Sequence, residues 1–456
     1  MKSQDPSLLR IVLLSAACVL LCVLPGCSKK EPAVNNQNDR SSDKLVLISP
    51  HHESIRYEFE KAFREYYLNQ TGRDVVMQWR DVGGGSSSIL TYLRNVYDNA
   101  DTSGIDVLFG GGEYTFQVLD AKGLCEPLEL SEDILANVPE TFGGMRMYSE
   151  KKTWIGNVLS SFGFLYNKEL LTQYKIQPPT QWEDLGKPDL YNLVVLADPT
   201  QSGSVAAAYE MIVQSAPNWQ DGWSRLLMIL SNAKKFTDSS GAAAEAPVLG
   251  EAMVSICIDF YGSMRVESAP DKLGYVSPKG ETGFTPDPIC ILKNPPNPKP
   301  AKAFIDFLLS VPGQALWALE PGHEGGPERT LLNREPIRKD FYTLYGKDLP
   351  EWIPNPYAEG AEMIVDAKIR EVRYGVLAKL VRAAAIENLS QMQAAKKKLI
   401  DSGYDAKLLE AFTKLPENVD TTEEIFEIAE KLKDPAQNEK IVTDWTIYFR
   451  NLYRNL

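Results

Sequence analysis

The sequence predicts an α/β protein: two parallel-sheet units in succession, then a mostly helical C-terminal stretch. Three observations predict it. From residue 44 onward, short apolar and β-branched runs alternate with segments of helical period, the pattern of parallel strands joined by helical crossovers. The pattern restarts at YNLVVLADPTQSGSVAAAYEMIVQ, again strand, Ser/Gly loop and helix. From about Pro336 it gives way to Ala, Leu, Lys and Arg at helical spacing, as in IREVRYGVLAKLVRAAAIENLSQMQAAKKKLI. A chain of 456 residues is too long for one ordinary core and long enough for two or three domains.

The N-terminal residues stand apart from this pattern. MKSQDPSLLR carries Lys2 and Arg10 ahead of the apolar run IVLLSAACVLLCVL, which is too short to span a bilayer stably and reads as a secretory signal. LPGC at 24–27 resembles the lipobox of bacterial lipoproteins, and that resemblance implies lipidation at Cys27. Residues 28–43 are polar without an apolar period and read as a flexible tether. The expected location is therefore the cell envelope, on the periplasmic or extracellular side, anchored to a membrane by lipid. Only Cys125, Cys257 and Cys290 remain beyond this region, widely spaced and odd in number, so they form no disulfide framework.

The elements of the first unit follow in order. KLVLIS is a strand, and SIRYEFEKAFREYY a helix with Ile55, Phe59, Phe63 and Tyr66 on one face and Gly72 just past its end. DVVMQWR and IDVLFG are strands, each feeding a glycine-rich loop and a helix. The second unit adds LSSFGF, LVVLAD, a strand from SICI through DFYG, and DPICILKN, closed by the amphipathic KPAKAFIDFLLSVPGQALWAL. TTEEIFEIAEKLKD begins with a Thr cap and an acidic first turn.

Ligands of such sheets bind beyond the C-terminal ends of the strands, where loops feed helices. Three successive junctions there carry unusual loops: SPHHES with His51, His52 and Glu53; DVGGGSSS with Gly84, Gly85, Ser86 and Ser87; and GGGEYT with Gly112 and Glu113. The second unit offers Ser161 and the Ser202, Gly203, Ser204 run, whose first hydroxyl is placed to cap a helix. Glycine and serine let backbone N–H groups face a ligand, and helix N-termini favour anions. The formal net charge of −13 argues against nucleic-acid binding. HExxH, GxSxG and the P-loop are absent, so no enzyme motif is present and no catalytic residue is assigned.

Taken together, LVLISPHHES, IDVLFGGGEYTFQVLDAKGL, LVVLADPTQSGS, VLGEAMVSICIDFYG and CILKNPPNPKPAKAFIDFLLSVPGQALW resemble the extracellular solute-binding proteins of ABC importers, in particular the ferric-iron-binding branch. The resemblance covers residues 44 to 335. It implies a two-lobed periplasmic-binding-protein-like fold of type 2, with lobe I at 44–155 and 283–335, lobe II at 156–282 and an unexplained helical extension at 336–456. It implies an ABC permease as partner and a small-molecule or ion ligand, with a cleft that closes like a clam shell. In the iron-binding members a histidine, an acidic residue and two adjacent tyrosines hold the metal. The matching positions here are His52, Glu113 and Phe260–Tyr261, so one phenolate donor is missing, and Asp259 is the substitute if it shares a strand face with Tyr261. Two readings stay open: Fe(III) or another metal as transported ligand on His52, Glu113 and Tyr261, or a small polar or anionic solute on the Gly/Ser loops. A cell-envelope lipoprotein that docks a partner is a third.

Overall fold

A computed structural model describes residues 42–350, 353, 355–359, 361 and 363–456. The expected signal segment, Cys27 and the tether up to residue 41 lie outside the described residues. Among the described residues no helix is long and apolar enough to cross a membrane.

The strands are β1 (Asp43–Ile48), β2 (Val75–Arg80), β3 (Val107–Phe109), β4 (Thr141–Phe142), β5 (Met145–Arg146), β6 (Ile155–Ser160), β7 (Phe162–Asn167), β8 (Val194–Ala197), β9 (Ala233–Thr237), β10 (Val254–Ile258), β11 (Leu273–Val276), β12 (Thr285–Ile291) and β13 (Glu335–Pro336). They build a six-stranded sheet of order β13-β6-β12-β3-β1-β2, a five-stranded sheet of order β11-β7-β10-β8-β9 and the hairpin β4-β5. β1, β2 and β3 run parallel, as do β8, β9 and β10. β12 returns antiparallel between β3 and β6. Each sheet with its covering helices is one lobe. The chain passes between them at Ser161 and returns ahead of β12, so β6 stays in the first sheet although the sequence placed the boundary at 155.

Helix ends follow from local chemistry. Gly72 closes the helix Glu53–Thr71 in the left-handed region, at φ 72°. Thr421 forms a capping box with Glu424 at the start of Thr422–Lys431. Apolar faces meet between sheet and helix: Phe59, Phe63, Phe109, Phe304 and Trp317 interlock in lobe I, and all five are fully buried. In lobe II, Trp182, Leu196, Tyr209 and Trp223 are equally buried. Cys125, Cys257 and Cys290 are buried free thiols, and burial pushes that of Cys257 up to about 12.

Two local readings are corrected. SICIDFYG is not one strand: β10 ends at Ile258 and a helix, Asp259–Ser268, begins at once. Asp259 and Tyr261 therefore fan out around a helix axis instead of sharing a strand face. Ser202 does occupy the N-cap of Gly203–Gln214, but its hydroxyl caps nothing and lies 3.3 Å from that of Ser204.

The extension is helical and packs mainly on lobe II. Trp219 Nε1 donates to Val419 O (2.7 Å), Tyr191 Oη to Gln393 O (3.0 Å) and Lys396 Nζ to Gly186 O (3.0 Å).

Candidate functional site

The two lobes face each other across a cleft of about 180 Å³. Lobe I contributes His51, the Gly84–Gly85–Ser86 and Gly111–Gly112–Glu113 loops, Ser160 and Asp287. Lobe II contributes Phe162, the Ser202–Gly203–Ser204 and Ser239–Ser240–Gly241 loops, Phe260 and Tyr261. Four helices start at this cleft: Ser86–Tyr97, Glu113–Ala121, Gly203–Gln214 and Ser240–Leu249. At the first three, the N-cap residues Gly85, Gly112 and Ser202 make no side-chain capping bond. Ser88 N and Thr115 N already donate to Gly85 O and Gly112 O, which leaves the N–H groups of the first two residues of each helix for a ligand, and the positive ends of the helix dipoles face one space. Ser86 and Gly203 meet across the cleft, where a Cβ on Gly203 would stand 2.2 Å from the Ser86 hydroxyl.

One charged network forms the cleft floor. Asp287 Oδ1 accepts from Gly111 N (2.5 Å), while Oδ2 sits 2.6 Å from Arg334 Nη1 and 3.1 Å from His51 Nε2. Burial pushes the Asp287 carboxyl up, but Arg334 and His51 outweigh it and hold the group at about 2. Burial dominates at His51 and lowers its pKa, so the ring is neutral. The carboxylate at 3.1 Å favours the proton on Nε2, which also lies 3.3 Å from Arg334 Nη1, and this leaves Nδ1 an acceptor with no partner among the described residues. Arg334 is fully buried, bonded to the Ser160 hydroxyl and stacked over Phe260 (4.5 Å) and Trp317 (5.1 Å). Phe260, which lacks the phenolate oxygen of the iron-binding pattern, thus supplies an aromatic face to a guanidinium.

A second unpartnered polar atom lies on the opposite wall. Ser240 is 2% exposed, lines the cleft, and its hydroxyl has no hydrogen-bond partner among the described residues. Beside the cleft, Asp259 accepts from the amides of Ser161 and Phe260, and burial lifts it to about 6 against the pull of Arg334. Burial, reinforced by Asp259, raises the Glu335 carboxyl much further.

The candidate residues therefore divide. Gly84, Gly85, Ser86, Gly112, Glu113, Ser202, Gly203, Ser204, Tyr261 and His51 line the cleft. His52 does not: it is exposed and caps the helix Glu53–Thr71 through Nδ1 and Ser54 N (3.3 Å). Glu53 is exposed, Ser87 sits on the helix beyond the wall, and Ser161 and Asp259 are buried and bonded to each other. Glu113 is taken by Arg370 of the extension, both side chains being at most 2% exposed. Among the described residues no three His, Cys, Asp or Glu side chains stand close enough to hold a metal ion. The expected set of His52, Glu113 and Tyr261 thus does not assemble, because one member faces solvent and another is salt-bridged.

Sequence reasoning missed Asp287, Arg334, Arg370 and the Ser239–Gly241 loop. Asp287 did carry a signal, an acid between two prolines in an otherwise apolar strand, TPDPICI. The arginines carried none, since an exposed and a buried arginine look alike in sequence.

Comparison with known proteins agrees with this architecture. Residues 101–341, just over half of the chain, match the family model of bacterial extracellular solute-binding proteins, and the chain belongs to that family. The phosphoglycerate transport regulatory protein PgtC of Salmonella typhimurium is 25% identical over 226 residues, 50% of this chain and 54% of that protein. The chain thus spans about half the length of that curated relative. Among solved structures, the periplasmic binding protein AfuA of Actinobacillus pleuropneumoniae, with fructose-6-phosphate bound, aligns at 21% identity with a TM-score of 0.56, covering 74% of this chain and 99% of that one. The apo ferric ion-binding protein A of Pasteurella haemolytica aligns at 16% identity with a TM-score of 0.56, covering 75% and 97%. These structural likenesses are likenesses of fold.

Proposed function

We propose that this member of the extracellular solute-binding proteins is the lipid-anchored receptor of an ABC importer and that its solute is a small organic phosphate. The observation that carries the reading is the convergence of four helix N-termini from both lobes on a cleft with no lysine or arginine in its wall. Such a site binds an oxyanion through backbone N–H groups and helix dipoles. Phe162, Phe260 and Tyr261 offer an apolar wall for the carbon body. The name of the Salmonella relative and the ligand of the Actinobacillus structure are both phosphate esters and support the same choice. A ligand touching both lobes stabilises their closed relation, which the permease then recognises on the periplasmic or extracellular face. No step of this action is catalytic.

The test is a thermal-shift panel on the full chain, unfolded and refolded to strip carried solute. It contains fructose 6-phosphate, glycerol phosphate, phosphoglycerate, inorganic phosphate, sulfate and Fe(III). A ligand at 100 times its dissociation constant adds about 2.7 kcal/mol. A phosphate ester is expected to give that shift, and Ser240→Ala to weaken its binding about fivefold, the worth of one hydrogen bond. A shift with Fe(III) and with none of the phosphates sinks the reading.

A further inference from the structure

The extension does more than cover lobe II. Its helix Ala367–Val381, with Asp366 as N-cap, runs alongside the cleft and is fixed on lobe II by several contacts, Asp366 N donating to Gln214 Oε1 at 2.8 Å among them. Arg373 Nε lies 3.0 and 3.2 Å from the two carboxylate oxygens of Glu210, and Tyr374 Oη donates to Gly203 O at 2.7 Å. One turn earlier, Arg370 reaches the other lobe and pairs with Glu113. Tyr374 also stacks on Tyr114, the next lobe I residue, at 4.5 Å.

Glu113 is one of only two carboxylates among the lining residues, the other being Asp287. Both stand where helix N-termini would receive an anion, and an unpaired carboxylate there would repel it. Asp287 is neutralised from behind by Arg334. Arg370, delivered by the extension, does the same for Glu113 through Nη1, and among the described residues its Nε and Nη2 have no hydrogen-bond partner. Arg370 is itself buried, at 2% exposure, so its charge is little screened.

We infer that the C-terminal extension is part of the binding site: Arg370 is a specificity-determining residue that cancels the charge of Glu113 and so fits the cleft to an anionic solute. Because Arg370 rides on lobe II and Glu113 belongs to lobe I, the cancellation holds only while the lobes are together. An open cleft presents a bare carboxylate, and closing removes it. The extension thus couples anion affinity to lobe closure.

The inference rests on the phosphate-ester reading above, and the experiment separates the two. Binding of fructose 6-phosphate and glycerol phosphate is measured by calorimetry on the full chain and on three variants. Arg370→Met is expected to weaken binding at least tenfold. Glu113→Gln, which leaves the arginine uncompensated, is expected to bind at least as tightly as wild type, with a steeper salt dependence. The double variant Arg370→Met/Glu113→Gln is expected to recover to within about threefold of wild type, which a purely structural arginine would not allow. Wild-type affinity in Arg370→Met, or a double variant as weak as Arg370→Met alone, overturns the inference while leaving the receptor reading intact. Absence of binding of these two esters and of phosphoglycerate to wild type overturns both.

Discussion

Asp287→Asn is the most informative single perturbation of the cleft floor. The carboxylate satisfies three donors at once: Gly111 N, Arg334 Nη1 and His51 Nε2. Asparagine keeps one oxygen and turns an amide NH2 toward the remaining donors, leaving the fully buried Arg334 without its counter-charge. Two routes give the magnitude. A carboxyl held at about 2 against an ordinary 3.8 is worth roughly 2.5 kcal/mol above pH 4. Breaking a buried ion pair from one side costs roughly 3–5 kcal/mol. Urea unfolding at pH 7 should therefore show a loss of about 3–4 kcal/mol. The pH dependence fixes the cause. Since the folded pKa is depressed, the stabilisation is present above about pH 4 and fades as pH falls toward 2, so wild type and variant should converge at the acid end. A loss under 1 kcal/mol at pH 7, or a difference undiminished at pH 2, would refute the reasoning.

Two further outcomes are expected. Asp259, lifted to about 6 by burial, favours folding below about pH 4 and loses that contribution as pH rises through 6. Glu335→Gln removes a buried carboxyl whose ionisation burial and Asp259 oppose, so it should lessen the fall in stability as pH rises from 4 to 7; an unchanged slope in urea titrations counts against the pairing. Lys396 is fully buried among Gly186, Met228 and Tyr404, and burial depresses its amine to about 7. Its unfolded form binds the proton more tightly, so wild-type stability should rise between pH 7 and 10. Lys396→Met should then be more stable than wild type by up to about 5 kcal/mol below pH 7, with the advantage fading by pH 10. Equal melting curves at pH 6 would contradict that.

The alternation of strand and helix, the second start near Tyr191 and the helical tail were legible in the sequence, because period and turn chemistry are local properties. The Gly/Ser loops at strand ends were legible for the same reason: a parallel sheet carries its loops to one edge. What the linear order could not decide was pairing across distance. Whether His51 or His52 turned inward depended on how the helix Glu53–Thr71 was capped, and the cap took His52. Whether Asp259 ended a strand or began a helix depended on the amides of Ser161 and Phe260 that it accepts from. Glu113 and Arg370 are far apart in the chain, as are Asp287 and His51, and only the packing of two lobes and one returning helix brought each pair together. A carboxylate's charge is written in the sequence, but the partner that cancels it is chosen by the tertiary fold, because burial removes the water that would otherwise do so.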